Sequence, residues 1–346
     1  MSKFFCKNPF QYCDIDIEGN IYVCCNQWCS FYSIGNILEE DFSEIFTEGK
    51  KFQEFINQFK NQNFKYCNID MCLCAKEVDD NNFTKLFNEF SANKKRQMRL
   101  NFDTTCNLQC IFCRPNFEIS DVKEAKNIEK LVTRIKSFLP ELDANHWEIS
   151  LNGLGEIFVS RPLLDLIQYI SQNYKNIKFQ IITNGVLCSK NMLERLGIVD
   201  RISSIEVSVH ATKEKTYNKL IKGGNFEKVR KNLEYISSLK QQDKINSFYM
   251  NFVITSYNYK EMLDFAKWSI KLGAVPNFLP LLPLNESQRR TFEKLNIANQ
   301  DNPKYNHFIK VIKRLKLLKD YINIPEHYFM LKPAKQKLFI QKLFSR

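Results

Sequence analysis

Histidine is scarce in this 346-residue chain, four in all and scattered, which leaves thiolates as the main soft metal ligands and argues against His-containing zinc sites. No apolar core follows Lys3, so a signal peptide is not expected, and no later stretch approaches the uncharged apolar run of a membrane span. The chain is therefore expected to be soluble and cytoplasmic. Also missing are a repeat of fixed period, a low-complexity linker and any cysteine beyond Cys188. The length suits one barrel-sized domain with a small appendage better than several equal domains.

What is present is thiol. Of 12 cysteines, eight precede residue 75 (Cys6, Cys13, Cys24, Cys25, Cys29, Cys67, Cys72, Cys74), three form the set Cys106, Cys110 and Cys113, and Cys188 stands alone. Clusters of this kind in a cytosolic chain point to metal ligands rather than disulfides. The formal charge of +12 is uneven: residues 1–90 hold 8 basic and 14 acidic side chains, a balance of −6, so +18 falls on the remainder. Much of it lies beyond Arg289, where Lys310, Lys313, Arg314, Lys316 and Lys319 alternate with apolar residues as in a basic amphipathic helix.

Between 97 and 281, short β-rich runs alternate with helical patterns, the signature of βα units around a parallel sheet. Strands are expected near 97–103, 147–152, 178–182, 204–209, 248–254 and 275–280. Ile128, Leu131, Val132, Ile135, Phe138 and Leu139 have helical spacing, with a stop expected at Pro140. A second helix is expected to begin at Pro162, and a third to run from Glu261 and end at Gly273. Six units are fewer than the eight of a closed barrel. The expected fold is α/β: a partial (β/α)6 TIM-like barrel over 97–284, preceded by a small Cys-rich N-terminal domain (1–78) and a helical linker (79–96), and followed by a basic helical C-terminal extension (285–346). Function in such a sheet sits at the C-terminal strand ends.

Directly after the first of these strands comes Cys106-Asn-Leu-Gln-Cys110-Ile-Phe-Cys113. Three thiolates on a [4Fe–4S] cube leave one iron open to a chelating molecule; a structural zinc loop completed by a distant ligand is the alternative. The later strand ends carry Asn152-Gly153-Leu154-Gly155-Glu156, then Thr183-Asn184-Gly185, then Ser208-Val-His210. In this order the motifs resemble the radical S-adenosylmethionine (SAM) superfamily over residues 97–284. That resemblance implies reductive SAM cleavage at a cube held by Cys106, Cys110 and Cys113, with Phe112 near the adenine. Gly153, Gly155 and Glu156 stand for the family's Gly-Gly-Glu turn, with Leu154 replacing one glycine, and Asn184 and Ser208 complete the implied SAM contacts.

At the N-terminus, Cys6, Gly19 and Cys24, with Cys67, Cys72 and Cys74 beyond, surround a Gly19-Asn20 hairpin turn. The pattern resembles the SPASM or twitch auxiliary-cluster domain, although it precedes the barrel rather than following it and lacks the later cysteine run. The likeness implies one auxiliary cluster, of the [4Fe–4S] kind, on Cys6, Cys24, Cys67 and Cys72. Cys74, Cys13, Cys25 and Cys29 are alternates, and a structural zinc is the other reading.

Cys188 reads as a small buried residue rather than a hydrogen-atom donor, and His210 as a polar wall residue, with acid or base work as the alternative. The basic tail reads as a solvated helix face; without an aromatic stacking platform, it argues against nucleic acid. The resemblance implies a radical SAM enzyme, cytoplasmic, that draws electrons from a flavodoxin- or ferredoxin-type donor. By analogy with SPASM enzymes, it would act on a peptide or protein side chain. A carbohydrate or small metabolite is the alternative substrate, and a non-catalytic iron–sulfur electron-transfer protein the alternative class.

Overall fold

The computed structural model describes residues 2–24, 32–67, 69, 72, 74–92, 96–113, 122–151, 155–282 and 289–332. They form two compact units, the first holding Met1–Asn107, Phe117–Ile205 and Leu239–Ser247, the second Leu108–Asn116, Glu206–Ser238 and Phe248–Arg346. The fold is α/β, with its six βα strands in the expected places. No helix among the described residues is long and apolar enough to cross a membrane.

The first unit contains β1 (Tyr12–Ile15), β2 (Asn20–Tyr22), β3 (Gly35–Asn36), β4 (Gln97–Leu100), β5 (Glu148–Leu151) and β6 (Lys178–Thr183), in the spatial order β6-β5-β4-β1-β2-β3. β1, β4, β5 and β6 are parallel, while β2 and β3 turn back antiparallel. The N-terminal segment, expected as an appendage, thus adds three strands to the sheet edge. Its hairpin forms because Gly19 takes φ 84° and the Asp16 carboxylate accepts the backbone N–H of Glu18 and Asn20.

Register divides this sheet into two unlike faces. On one, Cys13, Met98, Ile149 and Phe179 are neighbours, followed by Ile15, Leu100, Leu151 and Ile181, all buried. On the other stand Tyr12, Gln97 and Glu148, then Asp14, Arg99, Ser150 and Gln180. Asp14 and Ser150 are buried, as are Asn101 and Asp103 farther along the chain from β4. Arg99 stands 3.9 Å from the Asp14 carboxylate and donates to the Tyr12 hydroxyl at 3.1 Å. A closed barrel fills its inner face with Val, Ile and Leu; this face is polar in successive rows.

The helix expected to stop at Pro140 runs on from Val122 to Ala144 with Pro140 inside it. Proline lies one turn from the end, where the missing N–H costs a single hydrogen bond and the buried Ile135, Phe138, Leu139 and Leu142 outweigh it. Helices Arg161–Asn173, capped by Ser160, and Met262–Lys271, followed by Gly273 at φ 75°, match expectation.

The second unit contains β7 from Glu206 onward (Ile202–Ser208), β8 from Phe248 onward (Ser247–Val253) and β9 (Val275–Leu279), with β8 and β9 parallel. The basic tail forms a helix over Tyr305–Leu315 that buries Tyr305, Phe308, Ile309, Ile312 and Leu315 and keeps its lysines outward. Asn323 then pairs with the β9 edge: its N–H donates to Pro276 O, and its carbonyl accepts from Phe278 N–H at 2.7 Å. An otherwise open strand edge is covered.

Candidate active site

In the first unit, the ends of β4, β5 and β6 are tied together around the segment that leads into Cys106. Gly155 lies so close to it that a Cβ there would stand 2.2 Å from Thr105 O and 2.9 Å from Asp103 O. The backbone N–H of Glu156 donates to Thr105 O at 2.8 Å. The Glu156 carboxylate is buried and accepts from Thr183 Oγ1 (2.7 Å), Asn184 N–H (2.7 Å) and Phe158 N–H (3.4 Å). Asn184 Nδ2 in turn donates to Asn107 Oδ1 at 2.9 Å. Gly155, Glu156 and Asn184, drawn from two strand ends, therefore hold the residues on either side of Cys106. Gly153 lies outside the described residues. Cys188 is wholly buried, its thiol pushed up by desolvation and then by the Glu156 charge.

In the second unit, Gln109–Cys110 pairs antiparallel with Ile221–Lys222, and Ile111 N–H donates to Leu220 O. The Cys113 N–H donates back to Cys110 O at 3.0 Å, so these two cysteines share one turn. Phe112, between them in sequence, meets His210 edge to face with ring centroids 4.9 Å apart. His210 is buried at φ 62°; its Nδ1 accepts the Val253 N–H at 3.0 Å, and its carbonyl accepts Asn258 Nδ2. Desolvation lowers its pKa to about 3, so the ring is neutral with its proton on Nε2. The polar-wall reading fits this geometry and an acid–base role does not. Ser208 ends β7, half-buried, two residues before His210.

Sequence reading missed the frame of this corner. The Glu261 carboxylate accepts from Thr212 and Lys213 N–H and from the Thr212 and Thr216 hydroxyls, while Asn258 holds His210 from the same stretch. These partners lie about 50 positions apart, and only the contact of Asn258 Oδ1 with the N–H and hydroxyl of Thr255, three residues earlier, leaves a local signal.

Glu156 and His210 give stability opposite pH dependences. Burial raises Glu156 from 4.5 to about 7, so the fold favours its protonated form: that contribution is complete below pH 4.5 and is lost as pH rises to 7. His210 falls from 6.5 to about 3, so its contribution is complete above pH 6.5 and is lost as pH falls toward 3. Between pH 4.5 and 6.5 the two slopes oppose. Denaturant midpoints across that window should rise with pH in Glu156→Gln and fall with pH in His210→Asn; parallel slopes in the two variants would contradict the burial of these groups.

The N-terminal cysteines also converge, within the first unit. Lys3–Phe5 pairs antiparallel with Lys76–Val78, Phe5 opposite Lys76, which brings Cys6 toward Cys74. Cys6 is pushed up to about 12, first by burial and then by the charges of Cys24, Cys74 and Cys72; Cys67, also about 12, feels burial, then Cys24 and Cys72. Cys13 does not join them: it is buried in β1, and the charges acting on it are Arg96 and Asp14. Cys25 and Cys29 lie outside the described residues. Among the described residues no three His, Cys, Asp or Glu side chains form a single-ion site. A thiol group that is this costly to ionise alone suits a cationic iron–sulfur cluster, which reverses the electrostatic cost and takes each thiolate on a separate iron.

Comparison with known proteins adds two family models. One described as the radical SAM superfamily matches residues 100–269, and the SPASM model, an iron–sulfur cluster-binding domain, matches residues 6–74. Among curated proteins, the FeMo cofactor biosynthesis protein NifB of Methanocaldococcus infernus is 22% identical over 248 residues, covering 63% of this chain and 78% of the relative. GTP 3',8-cyclase of Clostridium botulinum is 27% identical over 212 residues, covering 60% of this chain and 63% of the cyclase. Among solved structures, anSMEcpe with bound AdoMet aligns at 16% identity and TM-score 0.45, over 66% of this chain and 60% of the other.

Proposed function

Since the chain belongs to the radical SAM superfamily and carries a SPASM iron–sulfur domain at its N-terminal end, we propose that it is an enzyme that holds a [4Fe–4S] cube on Cys106, Cys110 and Cys113 and abstracts hydrogen from a small polar organic substrate. SAM and iron–sulfur clusters are the cofactors of these two domains. When bound, the catalytic cluster supplies the electron that splits SAM into methionine and a 5′-deoxyadenosyl radical.

The observation that carries this reading is the junction of Gly155, Glu156 and Asn184 with residues 103–107. It fixes the approach to Cys106 by backbone contact and by a buried carboxylate whose oxygens are occupied by donors, so Glu156 serves positioning rather than proton transfer. Cys110 and Cys113 are set by their own turn and by Ile221–Lys222. Phe112, steadied by neutral His210, offers an aromatic face suited to adenine. Gly153 and Ser208 complete the proposed SAM contacts. The auxiliary cluster is assigned to Cys6, Cys24, Cys67 and Cys72, with Cys74 within electrostatic reach of Cys6. A flavodoxin- or ferredoxin-type donor, acidic in character, suits the basic balance beyond residue 90.

A small polar molecule replaces the peptide side chain implied by the SPASM likeness. The polar rows of the first unit's sheet support it, since buried Asp14 and Asn101 and half-buried Arg99 match a hydroxyl- or amide-rich compound better than an apolar or extended chain. Two relatives bear the names of a GTP cyclase and of a cofactor biosynthesis protein. Adding a desalted metabolite fraction of a cell extract should stimulate 5′-deoxyadenosine formation by the reduced, reconstituted enzyme several-fold, and the peptide fraction should not. Stimulation confined to the peptide fraction would reverse the choice of substrate.

A further inference from the structure

At the N-terminal ends of β1, β4, β5 and β6, opposite to the strand ends that lead to Cys106, the first unit has a pocket of about 310 Å³. Six residue steps of extended chain from Gln97 to Asp103 put it roughly 20 Å from the cysteine segment. It is not the site described above.

Arg96 is the unusual member of its wall. The guanidinium donates to Pro9 O at 3.1 Å and lies over the rings of Phe46 and Phe52, 4.4 and 5.5 Å from their centroids. Among the described residues it forms no ion pair with a carboxylate; the ionisable group beside it is the Cys13 thiol, which burial keeps neutral, and desolvation draws the Arg96 pKa down to about 10. A desolvated cation without an anion is costly to the fold. Lys7 adds a second, exposed cation to the same wall. Glu148 also lines the pocket, but its carboxylate is engaged by Gln180 Nε2 at 2.5 Å and Ser203 Oγ at 3.4 Å, and Gln180 accepts in turn from Gln97. Two cations and one carboxylate leave a single positive charge. Amide groups around Glu148 can exchange donors and acceptors with a ligand.

We propose that this pocket binds a small monocarboxylate that carries an adjacent donor group, an α-hydroxy or α-amino acid, with the carboxylate on Arg96 and Lys7 and the donor toward Glu148. The single charge of an α-hydroxy acid neutralises the surplus, whereas an α-amino acid, a zwitterion, sets its carboxylate on the two cations and its ammonium on Glu148; in either case a planar carboxylate matches the fork of the guanidinium. Asn8 links the pocket to the auxiliary thiols, since it lines the wall and its Nδ2 lies 3.7 Å from Cys24 Sγ. Occupancy is thereby placed next to the N-terminal cluster site rather than the catalytic one.

The test is calorimetric titration of the reconstituted full chain with L-lactate and with L-glutamine, at ionic strength held constant with chloride. Saturable binding of at least one probe in the millimolar range or tighter is expected. It should weaken at least tenfold in Arg96→Gln and severalfold in Lys7→Gln, and persist in a chain with Cys106, Cys110 and Cys113 all changed to alanine. Lys7 is exposed, so its variant decides the matter if Arg96→Gln does not fold. No saturable binding of either probe, or binding unchanged in Lys7→Gln, overturns the proposal. Loss of binding in the triple cysteine variant would place the ligand at the radical site instead.

Discussion

Cys110→Ala is expected to abolish 5′-deoxyadenosine formation, by roughly a thousandfold or more, while the chain keeps its N-terminal iron. A cube with an open iron has three protein ligands, so losing one leaves it on two thiolates and prone to dissociate. The auxiliary thiols sit in a separate part of the chain, organised by the pairing of Lys3–Phe5 with Lys76–Val78 and by their own mutual electrostatics. Iron should fall from about eight to about four per chain. The backbone at Cys110 is already paired with Ile221, a bond that the substitution does not touch, so the fold should survive. Iron analysis with a deoxyadenosine assay reads both outcomes, and unchanged cleavage would remove Cys110 from the catalytic set.

Gly155→Ala is expected to be among the most damaging single-methyl changes at the described glycines. The added carbon would lie 2.2 Å from Thr105 O, 2.8 Å from Thr104 C and 2.9 Å from Asp103 O. All three are backbone atoms, so no side chain can swing aside. Either the turn after β5 or the segment before Cys106 must move, breaking the Glu156 N–H to Thr105 bond and loosening the Glu156 network. The cost should be about 3 kcal/mol or more in unfolding free energy, with SAM cleavage lost together with stability. Gly197→Ala is the natural control. Gly197 ends the helix Lys190–Leu196 at φ 67°, and its nearest contact for a Cβ is Ser171 Oγ at 3.4 Å. Only the left-handed conformation is penalised there, at about 1 kcal/mol, and cleavage should persist. Equal losses in the two variants would remove the special role of the Gly155 contact.

The six βα strands were legible because each is a short β-rich run closed by turn chemistry, and the C-terminal ends of the first four carry the motif residues in order. Pro162 and Gly273 marked helix limits through rules that act within a few residues. Long-range choices were not legible. Nothing local to Tyr12–Ile15 says that it lies parallel to a strand 85 positions later, so the N-terminal segment read as an appendage. Pro140 read as a stop because the burial of Phe138, Leu139 and Leu142 that carries the helix past it depends on tertiary packing. Cys13 read as an alternate ligand because sequence alone does not show its side-chain direction, but strand alternation turns it to the apolar face of β1, apart from the thiols that act on Cys6 and Cys67. The alternation that placed Arg99 and Asp14 together was present in the sequence, but it gains meaning only when register aligns the strands.

The most direct test of the account is anaerobic reconstitution of the chain with iron and sulfide, then reduction with dithionite in the presence of SAM, with iron and 5′-deoxyadenosine measured on one sample. About eight irons per chain together with 5′-deoxyadenosine are expected. Full iron loading with no 5′-deoxyadenosine, even with the small-metabolite fraction added, would contradict the enzyme reading and leave an iron–sulfur electron carrier in its place.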